Sequence, residues 1–574
     1  LEIVFLSTEA VPFAKTGGLG DVCGALPMTL AARGHRVTLI LPAFRSIWAS
    51  GLRIVPTNLS FAVPIRGRIV GARLLRAELP VAELPVAADI DRQGAAGIEG
   101  QGAAGIDRQG TAENKGQAPE RRTAIPAGKS LSVPDPVTVY FIDQPEYYDR
   151  HGLYGDEAGD FADNCERFAF FCRAALQSIT RLERPIDIVH CHDWQTGLVP
   201  AYMRMGFESP PWMAAARSVF TIHNLAYQGR FWHWDFPLLG VEWDYFKPDW
   251  LEYYGEINFL KIGIQHADTL TTVSPTYAEE IQNPLHGCGL DPLLRSRSGV
   301  LRGITNGIDD SIWNPATDPH LRFPQAGADG VRGTAAHGNY DVDSWREGKS
   351  LQKRHLQETM GLAVDEAVPM IGLVGRLADQ KGWDLVLRVL RWHLEQSRPT
   401  QWMILGTGET RFHQALAELQ DMYPGRFGLQ LGFSDQMAHR IEAAADLFVM
   451  PSRYEPCGLN QIYSLRYGTV PIVMSTGGLV DTVVDATHET IADGTATGFR
   501  MRDFSAEELD RRIGQALEIR YHQQNIWAQM VETGMRQDWS WRQIALQYER
   551  LYADTVAVPK LPPAGGTPRT ELSR

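Results

Sequence analysis

Two strand–turn–helix units in immediate succession, between Pro451 and Val484, constrain this chain more than any other stretch. The apolar run Leu447 to Met450 reads as a buried parallel strand, and Pro456 to Arg466 has helical spacing, with Leu459, Ile462 and Leu465 on one face. Thr469 to Met474 reads as a second strand, and Ser475, Thr476, Gly477 and Gly478 open another helix. Units of this kind build a parallel sheet and aim two helix N-termini at one of its edges. Unpaired N–H groups and partial positive charge at such ends suit phosphate. Glu455 stands in the first of these turns. A carboxylate beside a phosphate site is electrostatically odd unless it contacts something else, such as a sugar hydroxyl. The stretch therefore points to a sugar nucleotide; the bland alternative is a solvated loop glutamate.

With 574 residues, 44% of them hydrophobic, the chain can bury a large core and should divide into at least two domains. Its net charge of -13 leaves no global basic field for nucleic acid or anionic lipid. The six cysteines, at 23, 165, 172, 191, 288 and 457, form no CxxC pair and no metal-like spacing, which favours free thiols. No run approaches the roughly 18 apolar residues of a membrane span. Leu1 lies directly inside a strand pattern, so neither a signal nor a transit peptide is expected on this chain.

Ile3 to Ser7 reads as a strand, followed by a Gly-rich loop, a helix from about Val22 to Ala32 and a strand at Val37 to Leu41. This is how a doubly wound fold begins. The loop places Lys15 just before Gly17 and Gly18, a cation beside bare backbone that a ligand can approach closely. Between about Pro80 and Pro136 the pattern collapses into Gly, Ala and Gln with a repeated QGAAGI, and is expected to be a disordered insertion between two strands, Ile69–Leu75 and Val137–Ile142. A helix at Asn164 to Thr180 follows. Three strands, Ile186–Trp194, Ser218–Asn224 and Asp268–Ser274, then each end in polar residues. Ligands of open α/β sheets bind beyond strand carboxyl ends, which makes Asp193, His223 and Asn224 site candidates.

The expected division is an N-terminal domain over 1–304 containing the 80–136 insertion, a hinge and linker over 305–368, a second Rossmann-like domain over 369–537, a closing helix over 538–555 and a disordered tail over 556–574. In the second domain Arg376 and Lys381 flank the first strand–helix turn as a paired cationic site. Three signals are set aside. His190 and His192 alternate on a strand end with no further ligand cluster in view. Asp341 and Asp343 form a DxD in irregular sequence rather than after a strand. Gly406 and Gly408 lack the third glycine of a dinucleotide fingerprint, and thin strand-to-helix packing is the better reading.

KTGGLGDV, HDW at His192–Trp194, TIHNLAYQG, GRLADQKG, PSRYEPCGL and STGGL, in this order, resemble the glycogen/starch synthase family of the bacterial and plastid type. The match covers nearly the whole chain outside the insertion and the tail. It implies the α/β GT-B fold, two Rossmann-like domains facing a cleft, with the DWSW helix at Asp538–Trp541 returning to the first domain. It implies glucose transfer from ADP-glucose to the non-reducing 4-OH of an α-1,4-glucan, retaining configuration, with no metal and no cofactor. The setting would be a bacterial cytoplasm or a plastid, with neither nucleic acid nor membrane as partner.

Carried over by position, Lys15, Gly17 and Gly18 reach the donor phosphates from the first lobe, and Arg376 and Lys381 from the second, with Thr476 and Gly477 offering backbone N–H groups. Asp193 and His223 line the donor glucose, His223 nearest its reactive end, and Glu455 contacts the sugar from the other side. Phe433 stands where the family places a ring against the base. Asp21, Asn224, Cys457, Gly458, Leu459 and Gly478 complete the implied nucleotide-sugar contacts. The E-x7-E pattern of retaining GT-B enzymes is incomplete, because Tyr463 stands eight residues after Glu455. Two other readings share the fold: a catalytically silent glucan-binding scaffold, and a related transferase using another donor such as UDP-glucose. Release of labelled ADP separates the first and donor competition the second.

Overall fold

Runs of β-branched and other apolar residues without a polar break become strands covered on both faces. The computed structural model describes residues 1–81, 135–156, 159–207, 210, 213–322 and 338–558. Glu2–Leu6 (β1), Arg36–Pro42 (β2), Val55–Ile65 (β3), Arg68–Leu79 (β4), Val137–Asp143 (β5), Ile188–His192 (β6), Arg217–Ile222 (β7), Thr269–Thr272 (β8) and Leu301–Gly303 (β9) form one nine-stranded sheet, ordered β9-β8-β7-β6-β1-β2-β5-β4-β3. Pairing is parallel except at β3–β4 and β4–β5. The antiparallel edge was not anticipated, yet its cause is visible: β3 and β4 alternate buried and exposed residues, the pattern of strands with one wet face. The insertion and the tail fall almost wholly outside the described residues.

The second sheet is all parallel. It contains Met370–Leu377 (β10), Gln401–Gly408 (β11), Phe427–Leu431 (β12), Leu447–Met450 (β13), Val470–Met474 (β14) and Phe499–Met501 (β15), ordered β12-β11-β10-β13-β14-β15. Two doubly wound units of this kind make the expected GT-B architecture. In each sheet the strand order reverses beside the first strand, between β1 and β6 and between β10 and β13, and ligands of such sheets bind outside these switch points.

The helix Trp541–Ala557 packs its Trp541, Ile544, Tyr548, Leu551 and Tyr552 into the same apolar cluster as Ile3, Phe5 and Leu26 of the first lobe. Glu549 on that helix is held by Arg33 at 2.7 Å. The stretch 305–368 carries a helix of its own, Trp345–Thr359, whose Lys349 reaches the Thr469 hydroxyl at 2.7 Å in the second lobe. Gly406 and Gly408 lie within β11, where a Cβ on Gly406 would stand 2.3 Å from the Gly375 carbonyl oxygen. The small residues thus serve packing against the neighbouring strand, not against a helix.

Candidate active site

At the carboxyl end of β1 the chain turns through Glu9, which is buried. Its carboxylate accepts the Thr16 hydroxyl at 2.7 Å and the Gly17 N–H at 3.3 Å, with the Tyr154 hydroxyl donating at 2.7 Å. The loop is thereby folded back on the sheet, and the helix begins at Gly18 rather than near Val22, running to Ala32. Lys15 is half exposed and leans on the Asp21 carboxylate at 2.7 Å. A Cβ on Gly17 would meet nothing within 4 Å, and one on Gly18 only Leu459 Cδ1 of the second lobe at 3.9 Å. The protein's own packing does not require these glycines. Their bare backbone lies open toward the facing lobe.

Beyond β6, Asp193 adopts φ +56°, a left-handed conformation uncommon for a residue with a side chain. Its Oδ1 accepts the His223 N–H at 2.7 Å, which ties the ends of β6 and β7 together. Burial, with the Glu9 charge nearby, pushes the Asp193 carboxyl up to about 7. His223 shares a hydrogen bond with His192 across 3.0 Å, and burial holds His223 down to about 3, so its imidazole is neutral. His190 spends both ring nitrogens on Tyr552 at 2.8 Å and Thr221 at 2.6 Å. Asn224 accepts the Ala226 N–H at 3.0 Å and turns the chain at the rim.

In the second lobe, Arg376 at the end of β10 is exposed and touches the Gln380 side chain at 3.3 Å. The Lys381 ammonium lies 2.6 Å from Glu455 Oε2, which also accepts the Ser452 hydroxyl at 3.0 Å. Glu455 is only 7% exposed, so the solvated-loop alternative fails. The helix expected from Pro456 starts at Asn460 instead. Pro456 to Leu459 form a turn in which Gly458 adopts φ +72°, and the Asn460 amide donates to the Val374 carbonyl at 2.7 Å. Cys457 is buried and its thiol is pushed up to about 12, leaving a neutral contact rather than a nucleophile. All six cysteines are unpaired. Phe433, just after β12, is 86% exposed and free to stack. Tyr463 stacks on Trp313 at 3.7 Å between ring centroids, so an aromatic layer takes the place of a second glutamate.

The lobes touch beside these residues. Gly477 has φ +45°, and a Cβ there would lie 2.0 Å from the Glu455 carbonyl oxygen, so only glycine lets the helix Gly477–Thr482 nest on that turn. The Gly478 N–H donates to that carbonyl at 3.2 Å. The backbone N–H groups of Thr476 and Gly477, expected at the donor phosphates, are both engaged within the protein: that of Thr476 donates to the Met474 carbonyl at 2.9 Å and that of Gly477 to the Glu280 carboxylate of the first lobe at 3.0 Å, which also accepts the Thr476 hydroxyl at 3.1 Å. Asp481 accepts the Thr276 N–H at 2.9 Å and its hydroxyl at 2.7 Å, and the Ser274 hydroxyl donates to the Pro456 carbonyl at 2.7 Å. Glu9, Tyr154, Glu280 and Asp481 escaped the sequence reading. Only Glu9 carried a signal, as an acidic residue directly after a strand end. The assembled set offers cations and bare backbone for a diphosphate, and a neutral imidazole with a buried carboxyl for a sugar.

Residues 2–93 and 109–296 match the family model described as starch synthase catalytic domain, and residues 360–532 that of glycosyl transferases group 1. The glycogen synthase of Rhodopirellula baltica is 47% identical over 559 residues, covering 97% of this chain and 98% of that protein. That of Anaeromyxobacter sp. is 40% identical, covering 97% and 100%. Among solved structures, the catalytic domain of starch synthase IV from Arabidopsis thaliana, bound to ADP and acarbose, superposes with a TM-score of 0.78 at 28% identity, covering 97% of this chain and 100% of that one. By near-full-length identity and by fold, this chain belongs to the glycogen synthase family of glucosyltransferases.

Proposed function

We propose that the protein transfers glucose from ADP-glucose to the non-reducing 4-OH of an α-1,4-glucan, with retention of configuration, in a bacterial cytoplasm. The observation that carries this reading is the set of cations Lys15, Arg376 and Lys381, at the end of β10 or in the turns that follow β1 and β10, with exposed backbone at Gly17 and Gly18. A diphosphate leaving group gains negative charge as the glycosidic bond breaks, and preorganised cations in a cleft stabilise it. Glu280 withdraws from Thr476 and Gly477 when the diphosphate arrives. Asp193, ionised, and the neutral His223 face the positive charge that develops on the sugar ring, while Glu455, steadied by Lys381 and Ser452, holds sugar hydroxyls. Phe433 covers the base. In this scheme residues 1–304 carry the acceptor, 369–537 the donor, and 305–368 link them.

Support for the donor and acceptor comes from the starch synthase IV neighbour, whose structure holds ADP and acarbose, and from the bacterial glycogen synthases. Among the described residues no helix is long and apolar enough to cross a membrane. The test is donor competition: ADP-glucose against UDP-glucose at equal concentration with a glucan primer, following ADP and UDP release. Predominant ADP release with chain elongation supports the reading. Predominant UDP release, or binding of glucan without turnover, overturns it.

A further inference from the structure

The linker between the lobes meets the helix Asp435–Ala444 at a cluster of polar and aromatic side chains. His439 lies buried on that helix, with its ring stacked on Trp313 at 3.8 Å and 10°. Tyr463 stacks on Trp313 at 3.7 Å and 9°, and two rings so close to one centroid must take opposite faces. Beside this layer sits the fully buried Asp318. Its carboxylate accepts the Tyr467 hydroxyl at 2.6 Å and the His320 backbone N–H at 2.8 Å, and its Oδ2 is 2.7 Å from His439 Nδ1. A carboxylate at that distance accepts the Nδ1 proton of the ring in a hydrogen bond, and in the neutral imidazole Nε2 is then a lone pair. That Nε2 is buried and has no hydrogen-bond partner.

An unmatched acceptor inside a protein demands an explanation. A carboxylate gripping one imidazole nitrogen so that the other is presented as a lone pair is the arrangement that orients metal-ligating histidines. The neighbours supply the rest. The His320 ring centroid is 4.8 Å from that of His439. Asp435 lies one helical turn before His439, on the same face. One ligating atom from each of His320, Asp435 and His439 falls within 4.8 Å of the others.

We propose that His320, Asp435 and His439 form a site for a divalent transition metal of the zinc class, which ties the linker to the second lobe. Two imidazoles and one carboxylate are a borderline donor set suited to such ions, and small side-chain shifts bring them to bonds of about 2.0–2.2 Å. Asp435 is exposed, so an ion can enter from solvent and keep a water as its fourth ligand. Arg440, on the same helix, donates to the His320 carbonyl at 3.3 Å, so its charge is turned to the backbone. The site is structural and stands whatever the donor sugar nucleotide proves to be.

The full chain, stripped with chelator and dialysed, is titrated with Co2+ and followed by visible absorption, then by displacement with Zn2+; thermal unfolding is recorded with and without Zn2+. One equivalent should bind, and Zn2+ should raise Tm. His320→Ala and Asp435→Ala remove ligands near the surface and should fold, each weakening Co2+ at least about tenfold and abolishing the Tm shift. His522→Ala, on an exposed helix end, should bind as the unaltered protein does. Absence of a stoichiometric Co2+ complex overturns the proposal, as does a complex that persists in either ligand variant.

Discussion

Glu280 closes the first lobe onto the second by accepting the Gly477 N–H at 3.0 Å, at the start of the helix where a donor phosphate is expected. Its carboxylate therefore competes with the leaving group for the same donor. Glu280→Gln keeps the shape and removes the charge. Affinity for ADP should rise fivefold to tenfold, equivalent to about 1 kcal/mol, as read by calorimetric titration. Unchanged or weakened binding would mean that Glu280 only latches the lobes.

Asp193 makes the rate depend on pH in a defined direction. Its carboxyl is raised to about 7 from an ordinary 3.8, so it is protonated below that value and ionised above. If the carboxylate faces the developing sugar cation, kcat should climb as pH rises through about 7, and Asp193→Asn should both lower kcat and remove that limb. Stability carries the opposite sign for this group. The native state keeps a proton that the unfolded chain loses above about 4, so the contribution of Asp193 is full at low pH and lost as pH rises through about 7. His223, held down to about 3, stabilises the fold above about 6.5 and that contribution is lost as pH falls toward 3. Rate profiles and urea midpoints across pH 4–9 in the two proteins check both signs.

The insertion is dispensable for chemistry on structural grounds. β4 and β5 are antiparallel neighbours with Leu79 paired to Val137, so the ends that the insertion joins already lie side by side. Replacing Ala88–Ser132 with a short Gly/Ser linker should alter loop closure by only about 1 kcal/mol. Glucan synthesis by the folded deletion variant should match that of the full chain. A well-folded variant without turnover would place the segment in the site.

What was legible in the sequence follows from locality. β13 and β14 are uninterrupted apolar runs and β1 is one after Glu2, so the turns that follow them, with Lys15 beside its glycines and Glu455 and Thr476 before helices, were identifiable, as were Asp193 and His223 at strand ends, where such sheets bind ligands. Helix starts were less legible. Asn460 and Gly18 begin their helices because of contacts with Val374 and with the loop held by Glu9, which no spacing rule encodes. Glu280 and Asp481 read as ordinary surface acids. Each gains its role only from a partner in the other lobe, Gly477 or Thr276, about two hundred positions away in the chain.

The sharpest prediction concerns Lys381 and its pair. The ammonium is 2.6 Å from Glu455 Oε2 and only partly exposed, so before substrate binds it is already desolvated and aimed by a carboxylate. A cation preorganised in this way acts most strongly where charge appears late, on the departing diphosphate. Lys381→Ala should therefore lower kcat more than it raises KM for the donor, with a loss of about 3 kcal/mol in transition-state stabilisation by analogy with removing one oxyanion donor. Arg376→Lys should also be harmful, because a point charge cannot span two phosphate oxygens as a guanidinium does. Glu455→Gln should lose tenfold to a hundredfold in kcat/KM, about 1.5–3 kcal/mol for a charge-assisted hydrogen bond, and because it also leaves Lys381 without its partner a lower Tm should accompany it. Chelation should leave kcat unchanged in the unaltered protein, since these side chains take the place of a divalent ion at the diphosphate. Steady-state kinetics with varied ADP-glucose, with and without EDTA, decide the matter. A rise in KM alone for Lys381→Ala reduces the lysine to a donor anchor, and loss of turnover on chelation with recovery by Mg2+ returns Asp341 and Asp343 to consideration.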